Sequence, residues 1–382
     1  MNVNEVVANL VCLERGAPIG SSKNAEYLEK GGVHPNDHVN MGQSSNDTFP
    51  TAMNVSATLA IHRDLLPAVR ATAEALEAKA KAWDKIVKIG RTHMQDATPI
   101  RLGQEFSGFA RQMRLAEARL MRALEALSEL PLGGTAVGTG INTHKDFGKK
   151  VAEALTEACA GKGKAKGSGP VFREAKNHFE AQHTRDATVE LAGHLKTVAV
   201  SLSKIAGDIR LMGCGPRCGI GELKLPAVQP GSSIMPGKVN PVICEAVVMV
   251  CCRVIGNDAA VTTAGLGGVG GLLDLHVAMP VMAEATLDSI GLLAGACRVM
   301  NENLLADLEP DEARCEQLIE GSLAMCTSLV PAIGYDKSAA LAYQAFKEGK
   351  TIRELVLESG EISAAEVKQL LDPAKMTRPD RD

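Results

Sequence analysis

The strongest constraint on the fold is a run of apolar residues spaced alternately four and three positions apart. It contains Leu191, Leu195, Val198, Leu202, Ile205, Ile209 and Met212. Residues at this spacing lie along one side of an α-helix, so the run predicts a long helix with a single apolar stripe. A second stripe contains Phe106, Phe109, Met113, Ala116, Leu120, Leu124 and Leu127. Such stripes need partners to cover them, which favours a helical bundle.

Three further apolar stretches, 50–86, 245–261 and 272–305, bring the predicted long helices to five. Pro67 predicts a kink or break in the first of them. Strand signals are scarce, and the run 85–89 is the best candidate. We therefore predict an all-α fold, a bundle of long helices. Only 3% of the residues are aromatic, so its core must be built from Ala, Leu, Val, Ile and Met.

The composition excludes several classes of protein. A net charge of −4 gives no electrostatic case for nucleic acid or a membrane surface as a partner. No uncharged run reaches the ~20 residues that span a bilayer, and the first residues lack the basic region of a signal peptide. The ten cysteines follow no zinc or disulfide spacing. These features predict a soluble intracellular protein with reduced thiols.

The sequence pattern of the C-terminal part is typical of short helices, unlike that of the long helices. Thr351 with Glu354, and Ser363 with Glu366, have the spacing of capping boxes that open short helices, and Gly360 between them is a stop signal. We predict a small helical domain over 309–382. The Gly- and Lys-rich stretch 161–169 is predicted to be a flexible surface loop.

Three polar segments interrupt the helical pattern, each at a predicted helix end. The first, GQSSNDTFP at 42–50, places Ser44, Ser45 and Asn46 just ahead of a long helix. Free backbone N–H groups and the helix dipole favour an anion there. The alternative is that Asn46 or Asp47 serves only as an N-cap.

The other two segments carry groups suited to acid–base and anion chemistry. GRTHMQDATP at 90–99 contains His93 among polar neighbours; the alternative is a purely structural histidine. GSSIMPGKVNP at 231–241 is followed by Glu245. Its small residues let backbone N–H groups converge on an anion, and Lys238 and Asn240 add donors.

Other familiar functional motifs are absent or lack the neighbouring structure that they require. GLGGVG at 265–270 matches a dinucleotide-binding pattern, but no strand precedes it. The nine histidines show no metal-ligand spacing, so no metal site is predicted. There is no Gly-x-Ser-x-Gly nucleophile elbow.

The polar segments together resemble the motifs of the fumarase/aspartase superfamily. GSSIMPGKVNP at 231–241 looks like its signature. HPNDHVNMGQSSNDTFPTAM at 34–53 and KIGRTHMQDATPIRLGQEFSG at 88–108 are similar to its other two motif regions, in the same order. GGTAVGTGIN at 133–142 and IGYDK at 333–337 add to the likeness. The resemblance covers nearly the whole chain and is closest to class II fumarate hydratases.

Three positions separate fumarases from aspartases within this resemblance. Fumarases carry His where this chain has His93, and Gly where it has Gly237, whereas aspartases typically carry Gln and Ala. Aspartases also favour Thr at the position of Ser45. All three favour fumarate hydratase, an enzyme of the tricarboxylic acid cycle, and aspartate ammonia-lyase is the alternative.

The resemblance implies a role for each motif residue in the interconversion of fumarate and (S)-malate. It implies that Ser232 is the base that removes the C3 proton and that Lys238 and Asn240 stabilise the resulting aci-carboxylate. His93 would handle the proton of the departing water, with Glu245 as its charge partner. The implied substrate-binding residues are Ser44, Ser45, Asn46, Thr92, Ser233, Lys238 and Asn240. No metal or organic cofactor is implied.

The resemblance also implies an assembly. It implies a homotetramer with a shared helical core and active sites shared between subunits. His34, Asn36 and Asp37 match the family's second, non-catalytic carboxylate site. The implied division is a remnant of an N-terminal domain at 1–42, a central long-helix domain at 43–308 and the small domain at 309–382. The location is cytoplasmic, or the mitochondrial matrix for a eukaryotic source.

One departure from the family pattern lies at the N-terminus. Family members carry, ahead of the segment that begins this chain, a Ser-Gly-Thr loop that binds substrate. We therefore expect an N-terminally truncated member. The rival to an active enzyme is a non-catalytic subunit that forms the helical core without a complete site.

Overall fold

The computed structural model describes residues 2–160, 169–232 and 234–379. Its α-helices are α1 Asn2–Glu14, α2 Ala25–Glu29, α3 Ser45–Ala60, α4 Leu66–Ala82, α5 Leu102–Leu127, α6 Phe147–Cys159, α7 His178–His183, α8 Asp186–Met212, α9 Val242–Ala264, α10 Met279–Met300, α11 Glu312–Glu320, α12 Val330–Ile333, α13 Tyr335–Glu348, α14 Ile352–Ser359 and α15 Ala364–Leu370. The predicted all-α fold is confirmed. None of the described helices combines the length and the apolar character that crossing a bilayer requires.

Both predicted apolar stripes are confirmed as buried faces. Every residue of the two stripes is buried, the first along α8 and the second along α5. The two predicted capping boxes are also present, and Gly360 ends α14 in the left-handed conformation. These features depend on spacing within one helix, which is why the sequence reveals them.

The strands are short and pair two by two. They are β1 Val87–Thr92 with β2 Gln95–Arg101, β3 Glu129–Leu130 with β4 Arg173–Glu174, β5 Leu223–Lys224 with β8 Glu309–Pro310, and β6 Gly271–Leu272 with β7 Leu275–His276. Of the four strand pairs in the described residues, β3 and β4 form the parallel one. The predicted strand 85–89 overlaps β1.

Two predicted helices differ from the structure. The stretch 50–86 is α3, a π-helical segment Ile61–Leu65 and then α4. Pro67 follows this wider turn directly, at the second residue of α4, and as a proline it donates no backbone hydrogen bond to the preceding turn. The predicted helix 272–305 begins only at Met279, because the preceding residues form β6 and β7 with Leu273 at φ 49° between them.

The chain packs as two compact units. Unit 1 comprises Met1–Leu66, Arg119–Lys196 and Val254–Gly291. One of its apolar clusters contains Met53, Ala192, Val261, Ala264, Met279, Met282 and Ala285, and another contains Leu130, Ala152 and Phe172. This unit carries the first polar segment and the stretch 133–142.

Unit 2 comprises Pro67–Ala118, Thr197–Arg253 and Leu292–Asp382. The ring of Phe106 packs edge-on against Trp83 at 4.7 Å and against Phe109 at 5.4 Å between ring centroids. The C-terminal helices have an apolar cluster of their own, formed by Ile319, Met325, Leu329, Ala345, Ile352, Leu355, Val356, Val367 and Leu371. The division at 1–42, 43–308 and 309–382 stays a prediction.

Candidate active site

The first polar segment contains the N-cap of α3. Ser44, not Asn46 or Asp47, occupies the cap position: its Oγ accepts the backbone N–H of Asn46 at 3.2 Å. The Asp47 carboxylate returns a bond by accepting the Ser44 N–H at 2.9 Å, which completes a capping box. Ser45, the first residue of the helix, is exposed. The predicted alternative of a cap at Asn46 or Asp47 is therefore wrong.

Asp47 joins this segment to the stretch 133–142. Its carboxylate is fully buried, and its second oxygen accepts the N–H groups of Gly133 at 3.1 Å and Thr135 at 2.8 Å. The Asn46 amide adds a bond to the carbonyl of Ala136 at 2.8 Å. A buried carboxylate that accepts several N–H bonds is a strong anchor. Sequence reasoning gave Asp47 no role beyond a cap.

Replacing Asp47 by asparagine should loosen this anchor. In asparagine an NH₂ group replaces one of the two carboxylate oxygens and cannot accept a hydrogen bond. A buried backbone N–H that bonded to that oxygen then loses its acceptor, at a cost of about 1–3 kcal/mol. We expect a lower free energy of unfolding, measured by denaturant titration. The control is Asp146→Asn, since the Asp146 side chain is 47% exposed. Equal behaviour of the two variants would contradict the prediction.

The second polar segment is a hairpin turn. β1 and β2 are joined directly at His93 and Met94, which have φ of 53° and 63°. Positive φ at both central residues defines the turn that suits a twisted hairpin, usually formed by Asn and Gly. Thr92 and His93 are exposed at this tip, and Met94 is 69% exposed. The segment thus forms a hairpin before α5 rather than leading straight into the helix.

A buried ionic network lies under this hairpin, and sequence reasoning missed it. Lys88 of β1 is buried, with its Nζ 3.0 Å from a Glu105 oxygen and 3.3 Å from Glu222 Oε2. Arg91 donates to Glu222 Oε1 at 2.8 Å, and Glu222 is fully buried. The available signal was Lys88 within the predicted strand 85–89 and Arg91 just after it, because cations in a buried strand need carboxylate partners.

The third polar segment folds back on itself ahead of α9. Ser232 Oγ accepts the backbone N–H groups of Ile234 at 3.2 Å and Met235 at 3.1 Å. A Cβ on Gly231 would lie 1.4 Å from the carbonyl oxygen of Lys238, so only glycine permits this approach. Ser233 lies outside the described residues, as do residues 161–168 of the predicted surface loop.

The remaining residues of this segment lie at the start of α9. Lys238 is exposed and Asn240 is half-buried, with its carbonyl accepting the Val242 N–H at 2.9 Å. Glu245 is exposed in the first turn of α9. A carboxylate at that position interacts favourably with the helix dipole.

The predicted second carboxylate site is one compact turn. His34 caps the π-helical segment Pro35–Val39, and its Nδ1 accepts the N–H groups of Asn36 at 3.3 Å and Asp37 at 3.1 Å. The same Nδ1 lies 3.1 Å from the Oδ2 atom of Asp37. The structure thus brings the three predicted residues together.

The predicted catalytic residues lie in unit 2, and some of the predicted substrate-binding residues lie in unit 1. Ser44, Ser45 and Asn46 belong to unit 1, and the hairpin tip and the 231–245 segment belong to unit 2. Within the described part of unit 2, no hydrogen bond or ion pair joins His93 to Ser232, Lys238, Asn240 or Glu245. A single site that unites the three segments stays a prediction. Among the described residues, no group of three or more His, Cys, Asp or Glu side chains is arranged to hold a metal ion.

Comparisons with known proteins point to the same family along nearly the whole chain. A family model described as lyase matches residues 1–256, and one of the fumarase C C-terminus matches residues 325–378. The chain is 48% identical to the class II fumarate hydratase of Neisseria meningitidis, over 99% of this chain and 78% of that protein. It is 48% identical to the mitochondrial fumarate hydratase of Rhizopus oryzae, over 98% of this chain and 72% of that protein. The crystal structure of class II fumarase from Schistosoma mansoni superimposes with a TM-score of 0.87 at 37% identity, over 94% of this chain and 77% of that one.

The long-helix fold and the motif segments, with these matches, define a lyase of the fumarase/aspartase type. Within it, the chain belongs to the class II fumarate hydratase family. The resemblance drawn from the motif strings is confirmed. The relatives include bacterial and mitochondrial proteins, and the cytoplasmic location stays a prediction.

Proposed function

We propose that this chain catalyses the reversible hydration of fumarate to (S)-malate. The observation that carries the proposal is 48% identity to class II fumarate hydratases over nearly the whole chain. His93, Gly237 and Ser45 also stand at the three positions where fumarases and aspartases typically differ. The substrate is then a small dicarboxylate. The proposed reaction mechanism uses side chains and backbone N–H donors of the protein.

The difficult step, seen from malate, is removal of a proton next to a carboxylate. The product of that step is a dianionic aci-carboxylate, which needs donors and positive charge already in place. Lys238 supplies a charge and Asn240 an amide donor within one segment ahead of α9. We assign these two side chains to the carboxylate that becomes the aci-acid.

Ser232 is the proposed base at C3. A serine hydroxyl is a weak base, and it needs stabilisation of its alkoxide form to remove such a proton. Two backbone N–H groups already point at Ser232 Oγ, from Ile234 and Met235. Donors aimed at the oxygen stabilise the alkoxide more than the neutral hydroxyl, and this arrangement supports the assignment.

His93 is the proposed acid–base group for the water molecule. The exposed hairpin tip presents its imidazole with Thr92 beside it. Glu245 is its proposed charge partner, and Thr92, Ser44, Ser45, Asn46 and Ser233 are the proposed ligands of the substrate carboxylates. Histidine suits this role because its ordinary pKa lies close to neutral pH.

The first test is the activity of the purified chain. We expect fumarate to be consumed and (S)-malate to form, followed by the ultraviolet absorbance of fumarate and by chiral analysis of the product. Ammonia release from aspartate without malate formation would instead identify an aspartate ammonia-lyase. A folded chain without either activity would favour the non-catalytic subunit.

We also propose a homotetramer whose active sites are shared between subunits. Apolar side chains on the long helices remain exposed in the single chain: Val200 at 54%, Met249 at 66% and Val281 at 45%. Exposed apolar residues along long helices are typical of surfaces that pack in an oligomer. Light scattering after size-exclusion chromatography gives the mass, and a monomeric mass would contradict the proposal.

Mixing two inactive variants tests whether the sites are shared. If His93 and Ser232 reach one site from different subunits, tetramers refolded from His93→Asn and Ser232→Ala chains contain some sites with both native residues. We expect the mixture to be far more active than either variant alone. Persistent inactivity of a mixed tetramer would show that each site takes both residues from the same chain.

His34, Asn36 and Asp37 are the proposed second carboxylate site.

A further inference from the structure

Glu222 connects the proposed catalytic hairpin to the body of unit 2. Its backbone N–H donates to the carbonyl of Met212 at 2.9 Å, and its carbonyl accepts the N–H of Asp311 at 2.8 Å. These bonds fix Glu222 between the end of α8 and the cap of α11. The carboxylate therefore projects from a rigid position, not from a mobile loop.

Both cations of β1 converge on that carboxylate. Arg91 donates to Oε1, and the Nζ of Lys88 lies 3.3 Å from Oε2. Residues three apart in a regular strand point to opposite faces. The strand register is irregular between Ile89 and Arg91, and such irregularities redirect side chains. A Cβ on Gly90 would lie 2.6 Å from the Thr98 carbonyl oxygen, so the close approach at this point needs glycine.

The network consists of two cations and two carboxylates: Lys88 and Glu222 are buried, and the side chains of Arg91 and Glu105 are 18% and 25% exposed. Glu105 faces Lys88 from α5, and the Cys315 thiol lies alongside. Burial, reinforced by the Glu222 charge, raises the pKa of Cys315 to about 12, so this thiol stays neutral at ordinary pH. Loss of the Glu222 carboxylate therefore leaves Arg91 without its ion-pair partner and Lys88 with Glu105 alone.

The hairpin tip itself is strained. His93 and Met94 both have a positive φ, although neither is glycine or asparagine. Such conformations persist only where the surrounding structure enforces them. Arg91 is two residues from His93 and carries the last side-chain anchor before the turn.

We propose that Glu222, through Arg91 and Lys88, is a positioning residue that holds the His93 turn in its catalytic geometry. The inference rests on the proposed function for its kinetic consequence. Glu222 touches neither substrate nor reacting atoms; it acts on the reaction through the imidazole of His93. A displacement of about 1 Å at a catalytic group lowers turnover by roughly 100-fold.

A double-mutant cycle tests this mechanism. Glu222→Gln keeps the side-chain shape and removes the charge, and we expect kcat to fall by about 10- to 100-fold while KM changes little. In a His93→Asn background the same substitution should change kcat by less than about threefold, because the group that it positions is absent. Glu117→Gln is the matched control: it also breaks ion pairs in unit 2, with Arg70 and Arg114, and should leave kcat unchanged. Multiplicative losses in the cycle would overturn the proposal.

Hydrogen exchange separates this inference from the proposed function. Amides in a peptide that covers 90–96 should exchange faster in Glu222→Gln than in the wild type, and not in Glu117→Gln. If the wild type proves inactive but exchange in this peptide accelerates, the positioning inference stands and the proposed function fails. If Glu222→Gln does not fold, Arg91→Lys keeps the charge but changes the contact, and the same cycle and exchange measurement apply. Unchanged exchange together with unchanged kcat would overturn the inference.

Discussion

Ser232→Ala should abolish the hydration of fumarate, with kcat lowered by roughly 10³-fold, within the range for loss of a general base. Alanine has no oxygen to receive the C3 proton of malate, and the N–H groups of Ile234 and Met235 then face a methyl group. The Michaelis constant should change much less, because Ser232 is assigned to the proton and not to the carboxylates. Steady-state kinetics in both directions gives the two constants separately.

The fold should survive this substitution. Ser232 Oγ makes two local bonds in a partly exposed loop, worth on the order of 1 kcal/mol to the fold. The Ser232→Ala variant should therefore unfold at nearly the same denaturant concentration as the wild type and keep its oligomeric mass. Ser107→Ala is the matched control, since its hydroxyl is exposed and donates to the carbonyl of Gln104 three residues earlier. Turnover by Ser232→Ala within a factor of ten of the control would remove Ser232 from the role of base.

The sequence revealed those parts of the fold that depend on short spacings. The stripe from Leu191 to Met212 is buried along α8 because a helix places residues three and four apart on one face. The box formed by Thr351 and Glu354 lies within one turn and needs no distant partner. Propensity and periodicity decide such features locally, and tertiary structure leaves them unchanged.

The hairpin tip shows where local reasoning fails. A turn with positive φ at both central residues is recognised by Asn and Gly, and here it is formed by His93 and Met94. Neither residue prefers that conformation, so no turn signal exists in the sequence. The turn conformation is imposed instead by the pairing of β1 with β2 and by the ionic network of Lys88, Arg91, Glu105 and Glu222.

The anchors of the candidate site depend on contacts between distant residues. Asp47 binds the N–H of Thr135, and Glu222 binds Arg91, across 88 and 131 positions of sequence. In the sequence, both carboxylates have the appearance of ordinary surface or capping residues. Their burial is what reveals the role, because a buried charge without donors or a partner would be strongly destabilising. The motif strings located the chemical groups, and the residues that hold those groups in place required the structure.

His93→Asn should lower kcat by about 10²- to 10⁴-fold, the range for loss of a general acid–base group. Asparagine is chosen because it tolerates positive φ better than other non-glycine residues, so the turn at φ 53° is preserved while the imidazole is removed. Loss of activity then reports the missing proton carrier, not a collapsed hairpin.

The neighbouring residue supplies the control for this experiment. Met94 shares the turn at φ 63° and is 69% exposed, with no assigned chemistry. Met94→Gly relieves the strain of positive φ, so it should stabilise the hairpin slightly and leave kcat near the wild-type value. If the two substitutions lower kcat equally, the turn's shape and not the imidazole limits the reaction. If His93→Asn retains turnover within about threefold of Met94→Gly, the proton must be carried by another group, and the assignment of His93 fails.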